Sequence, residues 1–345
     1  MKCVWNNTER LESLYICYWN AHGYVSLVIC VFGSITNIIN ILILTKKSMR
    51  NSINSILTGV ATADLLTMTT YIPMAIHFYL MNDITQSAQK NSYNWMKFLM
   101  FHASFSIATH TVSIWLAVIM AVMRYIFVRP TARGSKTVTI RSSVYIIIVT
   151  YIAAVILTIP NALSTDMHKV EDLNETLWRF YAPAIGTNQT DTMALLNFWI
   201  YPVFGKIVPV VLISIFGGLL LQTLRETDKR GQRLKGDNTA AHRHNRRTTI
   251  MLLSIICMYI VSEVPQSILI ILCACVDGFW GVYIAMGDII DTVSLINSAI
   301  NFIMYCTMST QFRNELMDST RHLCQTITGR CRKQGSGKNL PVTRV

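Results

Sequence analysis

Residues 250–272 read IMLLSIICMYIVSEVPQSILIIL. An apolar run of this length crosses the hydrocarbon core of a bilayer as a helix. Glu263 sits near its middle, with Pro265 and Gln266 just beyond. A carboxylate at that depth costs about 2.5–3.5 kcal/mol even on lenient insertion scales. Something inside the protein or outside it must compensate the charge.

The rest of the chain is of the same kind. Of 345 residues, 52% are apolar and 14% charged, well short of the ~25% charge of a soluble domain; mean hydropathy is +0.40. Seven runs are long enough to span: about 24–45, 54–80, 98–122, 143–163, 199–224, 249–273 and 283–308. Lipid cannot satisfy exposed backbone groups, so each must be a helix. The predicted fold is an all-α membrane protein: an outer segment over 1–23, a seven-helix bundle over 24–308, and a short amphipathic eighth helix with a disordered basic tail over 309–345.

Charge orients it. With the N-terminus outside, the inner segments hold 23 Lys and Arg and the outer ones 6, Lys206 being within span five. Basic residues favour the cytoplasmic side, so the N-terminus is outside. The net charge of +12 then suits an anionic inner leaflet or an acidic partner, not nucleic acid. Three glycosylation sequons, at Asn6, Asn174 and Asn188, all fall on the outer side. No cleavable leader is visible, so span one is expected to act as a signal anchor. Nine cysteines show no metal-ligand spacing. Cys324 and Cys331 lie among basic residues of the inner tail, where palmitoylation and free thiols are equally open readings.

Landmarks recur in order along the spans: Asn37; ATAD ending at Asp64; MRYIFVRP with Arg124 and Tyr125; Pro209; Pro265; NFIMY with Asn301 and Tyr305; and STQFRNEL with Phe312 facing the membrane. Over nearly its whole length the chain resembles a rhodopsin-like G-protein-coupled receptor. It departs from that pattern at several places. Met123 stands for the Asp of Asp-Arg-Tyr, Phe302 for the Pro of NPxxY, and Gly217 for a Tyr of segment five. The segment-four Trp is absent. Leu99 stands where the family's bridging Cys lies, and residues 164–198 contain no Cys. The resemblance therefore implies an outer loop held otherwise, with Cys17 bonded to Cys273 or Cys275 as the candidate. RRTTIMLL, SEVPQS, LINSAINFIMYC and STQFR are similar to invertebrate FMRFamide-like and myosuppressin-type neuropeptide receptors and to nematode class W serpentine receptors.

The resemblance also assigns roles. Asp64 with Ser113, Asn297, Ser298 and Asn301 matches the family's allosteric sodium site, an ion-free hydrogen-bonded network being the alternative; no other cofactor is implied. Arg124 and Tyr125, with Asn301 and Tyr305, match the switch that meets a heterotrimeric G protein, and the loss of the Asp at Met123 points to raised basal signalling. Arg246 and Arg247 lead into segment six and suit either coupling or lipid anchoring.

In the outer half, His102, His110, Glu263, Gln266, Asp288 and Asp291 form the candidate ligand set. Asp288 and Asp291, three apart, share a helix face. Three readings of Glu263 stand: protonated and hydrogen-bonded, locked to Lys206 or a histidine, or anchoring a cationic ligand. The resemblance to receptors for peptides ending in Arg-Phe-amide supplies a cation and favours the last.

An ion-coupled transporter is a remote rival, since buried acids also suit proton relays. Span seven lacks the Lys that a retinal protein needs. No nucleophile–base pair or phosphate loop argues for an enzyme. A small-molecule chemoreceptor of the same fold is the nearest rival, differing only in its ligand.

Overall fold

A computed structural model describes residues 2–128, 139–172, 175–181, 199–233, 240–276 and 279–335. The helices are α1 (Lys2–Leu44), α2 (Ser52–Ala75), α3 (Tyr93–Val128), α4 (Ile140–Ser164), α5 (Val208–Arg233), α6 (Ala240–Cys275), α7 (Trp280–Met308) and α8 (Thr310–Gly335). Wide π-helical turns extend α2 over Ile76–Leu80 and precede α5 over Tyr201–Ile207. The helix α1 packs on α2 and α7, and α3 runs through the middle against α2, α4, α5 and α6. Ile114, Leu116, Met120, Ile213, Leu252 and Ile256 are buried where these helices meet, while Ile148, Ile152, Val155 and Ile159 of α4 face outward.

Six of the seven bundle helices are long and apolar enough to cross a membrane by length and composition. The exception, α2, is rich in threonine, and its hydroxyls are turned onto its own carbonyls. Thr58, Thr62 and Thr67 bond the residues four before them at 2.9, 2.8 and 3.1 Å. Their polarity is thus spent within the helix. At the start of α2, Asn51 Oδ1 accepts from the Asn54 N–H at 2.8 Å and caps the helix.

Three sequence expectations change along the helices. Residues 1–23 continue α1 from Lys2, because Trp19 and His22 are buried against the bundle. The eighth helix runs far beyond STQFRNEL, to Gly335. Lys46 fastens it by an ion pair with Glu315 at 3.1 Å. Phe312 does not face the membrane: it is 1% exposed and lies 6.0 Å from the Phe302 ring and 5.4 Å from Tyr305. The Phe in place of the usual Pro thus forms the α7–α8 joint. Gly217 serves close helix approach, since a Cβ there would lie 2.9 Å from Ile256.

The second outer loop forms an antiparallel hairpin, β1 (Asp166–Asp172) with β2 (Glu175–Tyr181). It is secured without a disulfide. The Trp178 N–H donates to the Asn91 carbonyl at 2.9 Å, and Asn91 Nδ2 donates back to the Trp178 carbonyl at 3.2 Å. Trp178 stacks edge-on to Tyr93 at 5.0 Å. Met167, Trp178 and Leu99 pack on one apolar cluster with Phe78 and Met96. Contact at Leu99 thus stands in for the absent covalent link. Cys17, Cys273 and Cys275 are free thiols. The expected bridge is not formed; α7 packs against both α1 and α6, the helices that carry these cysteines.

Candidate functional site

The outer half of the bundle holds an open cavity of about 130 Å³ lined by Thr67, His102, His110, Lys206, Gln266 and Asp291, with Ser298 also in its lining. Glu263 lies behind its wall and is 0% exposed. Both carboxylate oxygens are taken: His110 Nε2 meets Oε1 at 2.9 Å, and Lys206 Nζ donates to Oε2 at 2.9 Å. Lys206, itself 1% exposed, also donates to Gln266 Oε1 at 2.9 Å. The π-helical turn delivers this lysine. The Val208 N–H reaches back to the Val203 carbonyl, and the extra residue in the turn swings Lys206 into the bundle. Gly205 permits the turn, as a Cβ there would fall 2.7 Å from the Tyr201 ring.

This geometry corrects the reading of Glu263 as a ligand anchor. An acid without exposed surface, already holding an ammonium and an imidazole, presents no oxygen to the cavity. The lock with Lys206 is the reading the structure realises.

The two acids of α7 divide their roles. Asp288 Oδ1 accepts from the Tyr79 hydroxyl at 2.8 Å, while its Oδ2 is buried and without a hydrogen bond. Asp291 is exposed to the cavity and has one long contact, 3.5 Å from the Tyr71 hydroxyl. His102 is buried and bonded to Thr70 Oγ1 at 3.0 Å. Sequence reasoning missed His22, which joins Tyr71 at 2.9 Å and Thr292 at 3.1 Å and ties α1 to α2 and α7. It also missed Asn91. A histidine before an apolar run is the only signal for the former, and the latter carries none.

Below the cavity, Asp64 accepts from Ser113 Oγ at 2.9 Å and from Asn301 Nδ2 at 3.1 Å. Asn37 Nδ2 donates to the Ser298 carbonyl at 3.2 Å, leaving its Oδ1 buried without a partner. Asn297 is buried and makes no hydrogen bond to Asp64. A carboxylate with neighbouring hydroxyl and amide oxygens is the donor chemistry of a hard cation.

At the inner end Arg124 is buried. Its Nε and Nη2 lie 3.1 and 2.7 Å from Thr249 Oγ1, joining α3 to α6. Tyr125 packs edge-on against Phe216 of α5 at 6.0 Å, and Tyr305 is buried in the α7–α8 joint. Arg247 is exposed and shares a cavity of about 340 Å³ with Thr307 and Arg313. The Arg246 side chain lies outside the described residues, as do those of Asn6 and Cys331; Asn174 and Asn188 lie outside them entirely. Cys324 is exposed on α8.

Seven packed helices, a polar cavity at the outer end and a buried arginine at the inner end fit a membrane receptor of the G-protein-coupled class. Residues 24–321 match the profile of the serpentine type 7TM GPCR chemoreceptor Srw family, and the chain belongs to that family. It is 33% identical to the G-protein coupled receptor dmsr-1 of Caenorhabditis elegans, over 88% of this chain and 68% of that protein. It is 25% identical to the sex peptide receptor of Drosophila melanogaster, over 88% and 76%. It is 22% identical to the Drosophila FMRFamide receptor, over 88% and 54%. As a member of this family it is a multi-pass protein of the plasma membrane.

Proposed function

We infer that this receptor binds an extracellular neuropeptide ending in Arg-Phe-amide and activates a heterotrimeric G protein. The names of the sex peptide and FMRFamide receptors support a peptide ligand. The observation that carries the finer reading is Asp291: it is the acid open to the outer cavity, whereas Glu263 is already neutralised by Lys206. A guanidinium meeting that carboxylate makes short, charge-assisted and often bidentate hydrogen bonds. The cavity of about 130 Å³ suits the end of one side chain, so the remaining peptide lies above it, beneath the hairpin. Coupling runs through Arg124, Tyr125, Asn301 and Tyr305, with Arg247 and Arg246 on the basic rim. Asp64, with the hydroxyls of Ser113 and Ser298 beside it, suits a sodium ion as the family's allosteric cofactor.

The test is a G-protein dissociation assay with amidated Arg-Phe peptides and their citrulline analogues. The expected result is activation by the Arg peptides and weak activation by citrulline, with the difference lost in Asp291→Asn. A receptor that ignores every such peptide and responds to small amines would instead favour the chemoreceptor reading, for which the small cavity also speaks.

A further inference from the structure

A second cavity, of about 400 Å³, lies at the cytoplasmic end of the bundle between α2 and α4. Leu44, Ile140, Val144 and Ile147 supply its apolar wall and Arg50 its inner rim. Four Ser and Thr hydroxyls also line it, and each is spent on a nearby backbone carbonyl: Thr45 bonds that of Ile41 at 2.7 Å, Ser55 that of Asn51 at 2.9 Å, Thr58 that of Asn54 and Thr62 that of Thr58. The groove therefore presents methyl and methylene surface despite its polar composition. Tyr151, whose hydroxyl donates to the Gly59 carbonyl at 3.0 Å, also lines it and ties α4 to α2. The groove opens beside the most lipid-facing helix, where Val144 is 45% exposed and Tyr145 and Ile148 more so.

Arg50 is exposed and, among the described residues, has no hydrogen bond or ion pair. Lys47 beside it is exposed too. The charge asymmetry puts this end at the inner leaflet, which carries anionic lipid. An apolar slot of this size with an unpaired guanidinium at its aqueous end matches a molecule with an acyl chain and an anionic head. We propose that the α2–α4 groove binds an anionic phospholipid of the inner leaflet, its chain along Val144 and Ile147 and its phosphate at Arg50. This site is separate from the outer cavity and from the Arg124 face, and nothing in the peptide reading requires it.

The test is native mass spectrometry of the full-length receptor in detergent, with equimolar phosphatidylserine and phosphatidylcholine of identical chains. Wild-type receptor should retain the serine lipid preferentially. Arg50→Gln should lower that preference about fivefold, the worth of one cation at an anionic surface. Arg50→Lys should keep it, and Val144→Trp, which fills the slot from its lipid side, should lower retention of both lipids. Equal retention of the two lipids by wild type would overturn the proposal. So would an unchanged preference in Arg50→Gln, because the anionic lipid would then sit elsewhere.

Discussion

Lys206 Nζ stands 2.9 Å from Glu263 Oε2, and neither side chain reaches solvent. The pair joins the π-helical turn before α5 to the middle of α6, next to Pro265. Two charges taken out of water are tolerable only when every remaining donor and acceptor is used. Here Gln266 takes a further Lys206 proton and His110 the second Glu263 oxygen. Breaking one partner of such a pair costs about 3–5 kcal/mol. Glu263→Gln should therefore lower the thermal stability of the purified receptor and its surface display. The double variant Glu263→Gln, Lys206→Met should recover much of that loss. Potency changes in Glu263→Gln should be equal for Arg and citrulline peptides; a loss confined to the Arg peptides would restore Glu263 as a ligand contact.

Asp291 is expected to behave in the opposite way. Asp291→Asn removes an exposed charge and leaves the bundle intact, so surface display should be normal. Loss of one partner from a desolvated charge pair costs about 2–5 kcal/mol, or roughly 30- to several-thousand-fold in affinity. Concentration–response curves with Arg-Phe-amide peptides should shift by that much, and those for citrulline analogues by far less.

Arg124 is restrained by a threonine although Met123 has removed the acid beside it. A hydrogen bond to a charged group contributes about 1.5–3 kcal/mol. Thr249→Val should raise ligand-free nucleotide exchange on the G protein by about tenfold or more. Arg124→Ala should abolish ligand-driven exchange without loss of surface display. Basal exchange in Thr249→Val equal to wild type would mean that this contact is not what holds the inner face closed.

The hairpin is held by Asn91 and Trp178 and not by sulfur. Ligand potency should consequently survive treatment of intact cells with a thiol reductant. Trp178→Ala removes both the ring contact with Tyr93 and the packing beside Leu99, and should speed ligand dissociation measured with a labelled peptide. A collapse of binding under reduction would show that an outer disulfide forms after all.

The class of the fold was legible in the residue order alone. Long apolar runs can satisfy their backbones in lipid only as helices, and the skew of Lys and Arg fixes which end faces the cytoplasm. Asp64 beside Ser113 and Asn301 was expected only through the family resemblance, which carries a register between helices that spacing within one helix does not. Other pairing across the bundle was not legible. Whether Glu263 faces a ligand or a lysine depends on a single extra residue in the turn before α5, which rotates Lys206 inward, and nothing in the local pattern of YPVFGKI marks that turn. The same holds for Asn91 with Trp178, Arg124 with Thr249, and Phe302 with Phe312. Hydrophobic periodicity specifies which residues form a helix and which side is apolar. The partner of a buried polar group is chosen by helix rotation and by sub-ångström fit between segments far apart in the chain, and only the packed bundle supplies both.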